Sequence, residues 1–136
     1  MRHIWAALFA ILMLAGCSAT ADISGAEKGI VKFHRQLDAG EFDAIYDDAS
    51  KDMKRATHPK QFVPVLEAVH RKLGKFKKGK VVGWNVNYTT GGNLVSLGYE
   101  AEYERGEAME NFVFRMDGKT ALLAGYHINS TALIIN

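Results

Sequence analysis

The sequence has a single cysteine, Cys17, and only two prolines among its 136 residues. One cysteine excludes an intrachain disulfide and a zinc site built from several cysteines. Neither sign of charge dominates, since 17 Lys and Arg against 15 Asp and Glu give a formal net charge of +2. This balance is unlike the basic character of nucleic-acid-binding domains, so we predict no nucleic-acid partner.

The longest apolar run is too short for a membrane-spanning helix. Ile4 to Leu14 contains no charged residue, but it falls well short of the roughly 20 residues that cross a bilayer. A short basic start, Met1-Arg2-His3, precedes the run, and the small residues Ala15 and Gly16 follow it. This arrangement is typical of a secretory signal.

The end of that signal, Leu14-Ala15-Gly16-Cys17, resembles the lipobox of bacterial lipoprotein precursors. The resemblance implies cleavage before Cys17 and a lipid on its sulfur, which holds the protein at a membrane of the cell envelope. With Ser18 next, it implies the periplasmic face of the outer membrane in a Gram-negative host. The alternatives are an ordinary secretory signal with a chance cysteine, or an uncleaved anchor. We predict a signal peptide at 1–16, a lipidated cysteine and tether at 17–24, and one domain at 25–136.

The first half of that domain has the apolar periodicity of helices. Ser24 and Glu27 form a capping box that predicts a helix start. Its buried face comprises Ala26, Ile30, Phe33 and Leu37. A second helix is predicted from Phe42 to Met53, and a third from near Lys60 to Leu73, with Pro64 in its first turn. The third helix is expected to bury Phe62, Val65, Leu66, Val69 and Leu73.

From Lys80 onward the apolar period changes to two, which is typical of strands. Gly91-Gly92 and Asp117-Gly118 are turn signals that separate the strands. The last strand is predicted to span Ala121 to Leu133. We therefore predict an α+β domain with three N-terminal helices packed on a curved four-stranded antiparallel sheet.

This order resembles the nuclear-transport-factor-like, cystatin-like cone domain, and more narrowly small uncharacterised envelope lipoproteins with a domain of unknown function. The stretches that carry the resemblance are Phe33 to Tyr46, Val69 to Gly74 and Gly125 to Ile128. The resemblance implies a pocket between sheet and helices, which such domains use for catalysis, ligand binding or dimer contacts. The fold alone does not choose among these functions.

A basic run is the densest charge feature. Its six cations are Arg71, Lys72, Lys75, Lys77, Lys78 and Lys80. Two interpretations stay open, contact with an anionic surface and a solvated helix end. Gly74 to Lys80 matches the start of a phosphate-binding loop. We reject that function, because Val81 stands where a Ser or Thr would hold magnesium. The segment also follows a helix and precedes a strand, which is the reverse of the order that a phosphate-binding loop needs.

Acidic residues and histidines yield no metal or cofactor site. Glu100, Glu102 and Glu104 alternate on one strand face and are predicted to be solvated, and Glu107 and Glu110 are grouped with them. No two histidines have the helical spacing of a zinc pair, and His34 is predicted to be a core or boundary residue. The sequence therefore predicts neither a metal nor a cofactor.

Three residues are candidates for lining an interior pocket, Trp84, Tyr99 and His127. Alternatively, Trp84 and Tyr99 are ordinary residues of the hydrophobic core. His127 is a candidate general base only if its side chain points into the pocket. No catalytic set of the related folds matches this sequence residue by residue. The first hypothesis is thus a non-enzymatic envelope lipoprotein that binds an envelope protein or component. The second is a small-molecule carrier or sensor, and the third an isomerase or hydrolase.

Overall fold

The computed structural model describes the backbone of residues 2–135 and the side chains of residues 19–135. Over that range the chain is α+β, as predicted, with four helices before a four-stranded antiparallel sheet and a short helix after it. The helices are α1 (Arg2–Asp38), α2 (Phe42–Asp47), α3 (Lys51–Ala56), α4 (Pro59–Leu73) and α5 (Thr131–Ile135). The strands are β1 (Phe76–Asn87), β2 (Leu94–Tyr103), β3 (Gly106–Asp117) and β4 (Thr120–Asn129).

Helix α1 begins before the predicted start. It runs without a break through residues 18–24, which were predicted to be a tether, so Ser24 and Glu27 lie inside the helix and do not cap it. The predicted apolar face is confirmed, since Ala26, Ile30 and Leu37 are at most 1% exposed. Cys17 lies outside the residues whose side chains are described, so the lipidation site stays a prediction.

The predicted second helix is split into α2 and α3, which corrects the count of three helices before the sheet to four. The break falls at Ser50, whose hydroxyl accepts a hydrogen bond from the Met53 backbone N–H at 3.3 Å. The Ser50 backbone N–H donates to the carbonyl of Leu123 on β4. Ser50 therefore caps a new helix and ties it to the sheet.

Helix α4 begins at Pro59, with His58 as its N-cap. Pro64 is thus the sixth residue of the helix, and its predicted place in the first turn is wrong. Phe62, Leu66, Val69 and Leu73 are buried as predicted, whereas Val65 is 45% exposed. The apolar stripe of α4 is narrower than the sequence pattern indicated.

The strands form a simple meander in the order β1-β2-β3-β4, so β1 and β4 are the two edges. Strands β2 and β3 contribute the buried face, on which Val95 lies opposite Phe114 and Leu97 opposite Phe112. Strand β4 ends at Asn129, and not at Leu133, because Ser130 turns the chain into α5 and its hydroxyl donates to the Glu107 carbonyl at 2.5 Å. Within the described residues, no helix has the length and apolar content to cross a membrane.

Candidate functional site

Glu110 is an acidic residue of the interior whose side chain has no exposed surface. It was predicted to be solvated with the other glutamates, and that prediction is wrong. Alternation along β3 places Glu110 on the same face as Phe112 and Phe114, so the strand carries its carboxylate into the core. The sequence held a signal that could have placed Glu110 in the core, because it has the same parity along the strand as Phe112 and Phe114.

Three side chains donate hydrogen bonds to the Glu110 carboxylate. Nε2 of His34, on α1, lies 2.8 Å from Oε2. The Tyr126 hydroxyl, on β4, donates to Oε1 at 2.8 Å, and the Tyr103 hydroxyl, on β2, donates to the same oxygen. These four residues, called the Glu110 cluster below, join α1 to three of the four strands. The carboxylate is therefore well satisfied although it is far from water.

Aromatic rings surround the Glu110 cluster. The His34 ring stacks on Phe76 with ring centroids 3.8 Å apart. His34 is buried, as predicted, and its Nδ1 has no hydrogen-bond partner. An imidazolium would bury a second N–H without an acceptor, so the geometry favours a neutral ring with its proton on Nε2. The cluster then carries one net negative charge, located on Glu110.

Burial and the negative charge of Glu110 shift the pKa values of the neighbouring tyrosine hydroxyls. Burial, followed by the negative charge of Glu110, raises the pKa of the Tyr103 hydroxyl far above its usual value. The same causes in the same order raise the pKa of Tyr126 and, in a less buried position, that of Tyr99. All three phenols therefore stay protonated, and two of them act as donors to the carboxylate.

Within the part of the chain whose side chains are described, Glu110, Tyr103 and His34 are at most 3% exposed, so a substrate in solvent does not reach them. A hollow of about 30 Å³ lies between α1 and the sheet, near Gly29 and Phe33, and none of the four cluster residues lines it. A pocket for a drug-sized ligand is about ten times larger. The cluster thus has the donors and the acceptor of an acid–base site, but these groups already form hydrogen bonds with one another.

A much larger hollow, of about 710 Å³, lies on the opposite face of the sheet. We call it the sheet groove. Cross-strand pairing brings Lys80, Glu100 and Met109 side by side, and Lys78 pairs in the same way with Glu102. Its charged and larger lining residues are Lys78, Lys80, Glu100, Glu102, Glu107, Met109, Asn129 and Thr131. The groove therefore presents both signs of charge beside an apolar floor.

The structure does not bring the six cations of the basic run together as one patch. Lys78 and Lys80 line the sheet groove and lie 3.6 Å from carboxylate oxygens of Glu102 and Glu100. Lys77 also approaches Glu102, at 3.9 Å. Lys72 instead donates to the Leu133 carbonyl in α5, at 2.6 Å. Arg71 and Lys75 are exposed near the end of α4.

The three residues predicted to line an interior pocket lie in different places. Tyr99 is half-buried and packs with His34 and Phe112. Trp84 is 62% exposed on β1. His127 is exposed and lies opposite Asn111, on the face of the sheet away from the core. Trp84 lies on the core-facing side of the sheet, opposite the buried Leu97, and the sequence did not reveal that this part of β1 is left exposed.

Among the described residues, no group of three or more His, Cys, Asp or Glu side chains is arranged to hold a metal ion. No curated protein matches the chain. A family model does match residues 32–126, which is more than half of the chain and includes all four residues of the Glu110 cluster. The chain therefore belongs to the DUF4019 family of proteins of unknown function.

Proposed function

We propose that this protein is a lipid-anchored lipoprotein of the bacterial envelope, and that its domain is a non-enzymatic binding or structural module. The proposal that the domain is non-enzymatic is supported by its closed interior. Glu110 and its three donors are the best acid–base constellation among the described residues, yet aromatic rings enclose them. An enzyme of the isomerase or hydrolase kind needs such groups within hydrogen-bond reach of its substrate.

The proposal of an anchor depends on the sequence of residues 1–17. Their basic start, uncharged apolar run and Leu14-Ala15-Gly16-Cys17 motif have the order of a lipoprotein signal. Several acyl chains at one residue make membrane attachment stable, since each buried methylene contributes about 0.8 kcal/mol. We also propose that the domain is a cone of the nuclear-transport-factor-like type, whose interior is here filled with side chains.

The sheet groove is the surface that we assign to binding. It is the larger of the two hollows described above, and its charges of both signs suit a polar or zwitterionic segment of an envelope protein or cell-wall polymer. Lys78 and Lys80 are more than 70% exposed at the side chain even though they lie near carboxylates. Their ammonium groups are therefore available to a partner's anionic groups.

Fatty-acid labelling of growing cells tests the anchor. We expect the wild-type chain to incorporate label and to fractionate with membranes, and Cys17→Ala to incorporate none and to persist as an unprocessed precursor. Ser18→Ala is the matched control, because it changes the adjacent residue and leaves the sulfur in place. Normal processing of Cys17→Ala would contradict the proposal.

A second candidate function is carriage or sensing of a small molecule. The volume of the sheet groove favours it, because about 710 Å³ falls within the range of ligand pockets. Native mass spectrometry of protein purified from its host separates the two functions. A bound small molecule that is lost in a Lys80→Ala, Glu100→Ala double variant would establish the carrier, whereas a mass equal to that of the protein alone favours the module.

A further inference from the structure

The first turns of the described part of α1 are tied to one end of the sheet. Asp22, five residues after Cys17, accepts a hydrogen bond from Asn93 Nδ2 at 2.7 Å, and Asn93 directly precedes β2. Gly25 lies so close to the β3–β4 turn that a Cβ on it would be 3.0 Å from the Lys119 carbonyl oxygen. The β1–β2 and β3–β4 connections therefore both contact α1 soon after Cys17.

We call this end of the sheet, residues 87–93 and 117–120, the anchor end. Helix α1 continues without a break from Asp22 back to Cys17, and five residues of α-helix span about 7.5 Å. The head-group layer on one side of a bilayer is roughly 5–8 Å thick. The inference rests on the proposed lipid at Cys17, which would place the anchor end at the level of the head groups.

The composition of the anchor end suits contact with lipid head groups. Residues 87–91 are all exposed and include no charged residue, and Tyr88 is 61% exposed. The β3–β4 turn adds one charge of each sign, on the exposed residues Asp117 and Lys119. Tyrosine is enriched at membrane interfaces, because its ring is apolar and its hydroxyl can reach water. The anchor end is thus an uncharged surface on balance, with an aromatic residue at its tip.

The charged surfaces lie at the opposite end of the sheet. Helix α1 ends there, since the Phe76 backbone N–H donates to the Asp38 carboxylate at 3.0 Å. The 16 residues from Asp22 to Asp38 span about 24 Å of helix. The sheet groove is also at that end, because its lining residues Glu102 and Glu107 face each other next to the β2–β3 turn. The basic run begins beside it, before β1.

We propose that the anchor end rests on the bilayer that holds Cys17, with Tyr88 among the lipid head groups. The domain then stands upright on its membrane, and the sheet groove is held about 24 Å further out, the length of α1 between its two tied ends. In this orientation the groove is open to a partner outside the bilayer. The basic run is held away from this membrane.

Tryptophan fluorescence in phosphatidylcholine vesicles tests this orientation. Two reporters, Tyr88→Trp and Lys75→Trp, are each placed in a chain that also carries Trp5→Phe and Trp84→Phe. A fraction of the lipid carries a quenching spin label on its head group. We expect the reporter at position 88, at head-group depth, to lose at least about half of its emission. The reporter at position 75, exposed at the far end of the sheet, should lose none.

The protein for this experiment is purified from host membranes, and its intact mass shows whether Cys17 carries lipid. An unmodified Cys17 would contradict the anchor but not the orientation. In that case the same protein is coupled through this single thiol to a maleimide phospholipid in the vesicles, and quenching is measured as before. A purified chain that lacks Cys17 would overturn both proposals. Circular dichroism verifies that both reporter variants are folded.

Salt separates this contact from an electrostatic one. Raising the NaCl concentration from about 50 to about 500 mM should leave the quenching at position 88 unchanged, because the anchor end has no net charge to be screened. Quenching at position 75 that equals or exceeds the quenching at position 88 would overturn the proposal, and its loss in high salt would assign bilayer contact to the basic run. Absence of quenching at both positions would also overturn it, since the domain would then stand clear of the bilayer.

Discussion

Glu110 is the residue on which the interior depends most. It is a buried carboxylate held by one imidazole and two phenols, and each hydrogen bond to a charged group contributes about 1.5–3 kcal/mol. Removing one member leaves the others unsatisfied in a place that water does not reach. The cluster therefore fixes the position of α1 against β2, β3 and β4 more precisely than apolar packing alone.

Replacing Glu110 by Gln should lower the free energy of unfolding by about 2–4 kcal/mol, because the neutral amide loses the charge-assisted hydrogen bonds and has only one acceptor oxygen. If that oxygen keeps the two tyrosine hydroxyls, the amide nitrogen faces the Nε2–H of His34, donor against donor. Urea denaturation measures the change. Glu107→Gln is the matched control on the same strand, where the side chain is exposed and the change should stay within about 0.5 kcal/mol. Equal stability of the two variants would contradict the importance assigned to the cluster.

The raised pKa values of Tyr103 and Tyr126 predict a loss of stability in alkali. The unfolded chain releases its phenolic protons near pH 10, whereas the folded protein retains them. Stability from these groups is thus fully present below pH 10 and falls as pH rises above it. Urea denaturation from pH 8 to 11 should show this decline, and Tyr126→Phe should reduce its slope. A folded protein whose five tyrosines all titrate near pH 10 would contradict the prediction.

At the scale of elements, one ion pair connects α3 to the end of β3. The Arg115 guanidinium donates to both carboxylate oxygens of Asp52, at 3.0 Å each. It also donates to the Thr89 hydroxyl at 2.7 Å and to the Gly92 carbonyl at 2.5 Å, in the β1–β2 connection. This arginine therefore joins three segments that are distant in sequence.

Hydrogen bonding by Arg115 lowers the pKa of Asp52 below its usual value. The associated stability is present above pH 4 and is lost as pH falls through the folded-state pKa. Because Asp52 is about one-third exposed, Asp52→Asn should cost only about 0.5–1 kcal/mol at neutral pH, and the cost should vanish in acid. Thermal unfolding at pH 7 and pH 3 measures this, with exposed Asp47→Asn as the control. A cost unchanged at pH 3 would contradict the assignment.

The elements with a strong local sequence pattern were predicted correctly, and those that depend on distant contacts were not. The apolar period of two predicted the β2 face, and the helical spacing of Phe33 and Leu37 predicted the buried face of α1. The break at Ser50 was missed because it depends on a hydrogen bond to Leu123, which is far away in the sequence. The exposure of Trp84 was missed for a similar reason, since alternation indicates a face of the sheet but not whether helices cover it.

The whole molecule combines a closed interior with an open surface. The interior holds the Glu110 cluster, whereas the sheet groove lies on the face of the sheet away from the core. Membership of DUF4019 is consistent with the predicted domain of unknown function and adds no activity. The groove was unpredictable from the sequence because residues of β1, β2, β3 and α5 meet there only in the folded chain.

The proposal that lipid on Cys17 holds this domain at an envelope membrane is tested most directly by the intact mass of the protein purified from its host. We expect a chain that begins at Cys17, carries diacylglycerol on that residue and is recovered from the membrane fraction. An unlipidated chain of any length, recovered from the soluble fraction, would contradict it.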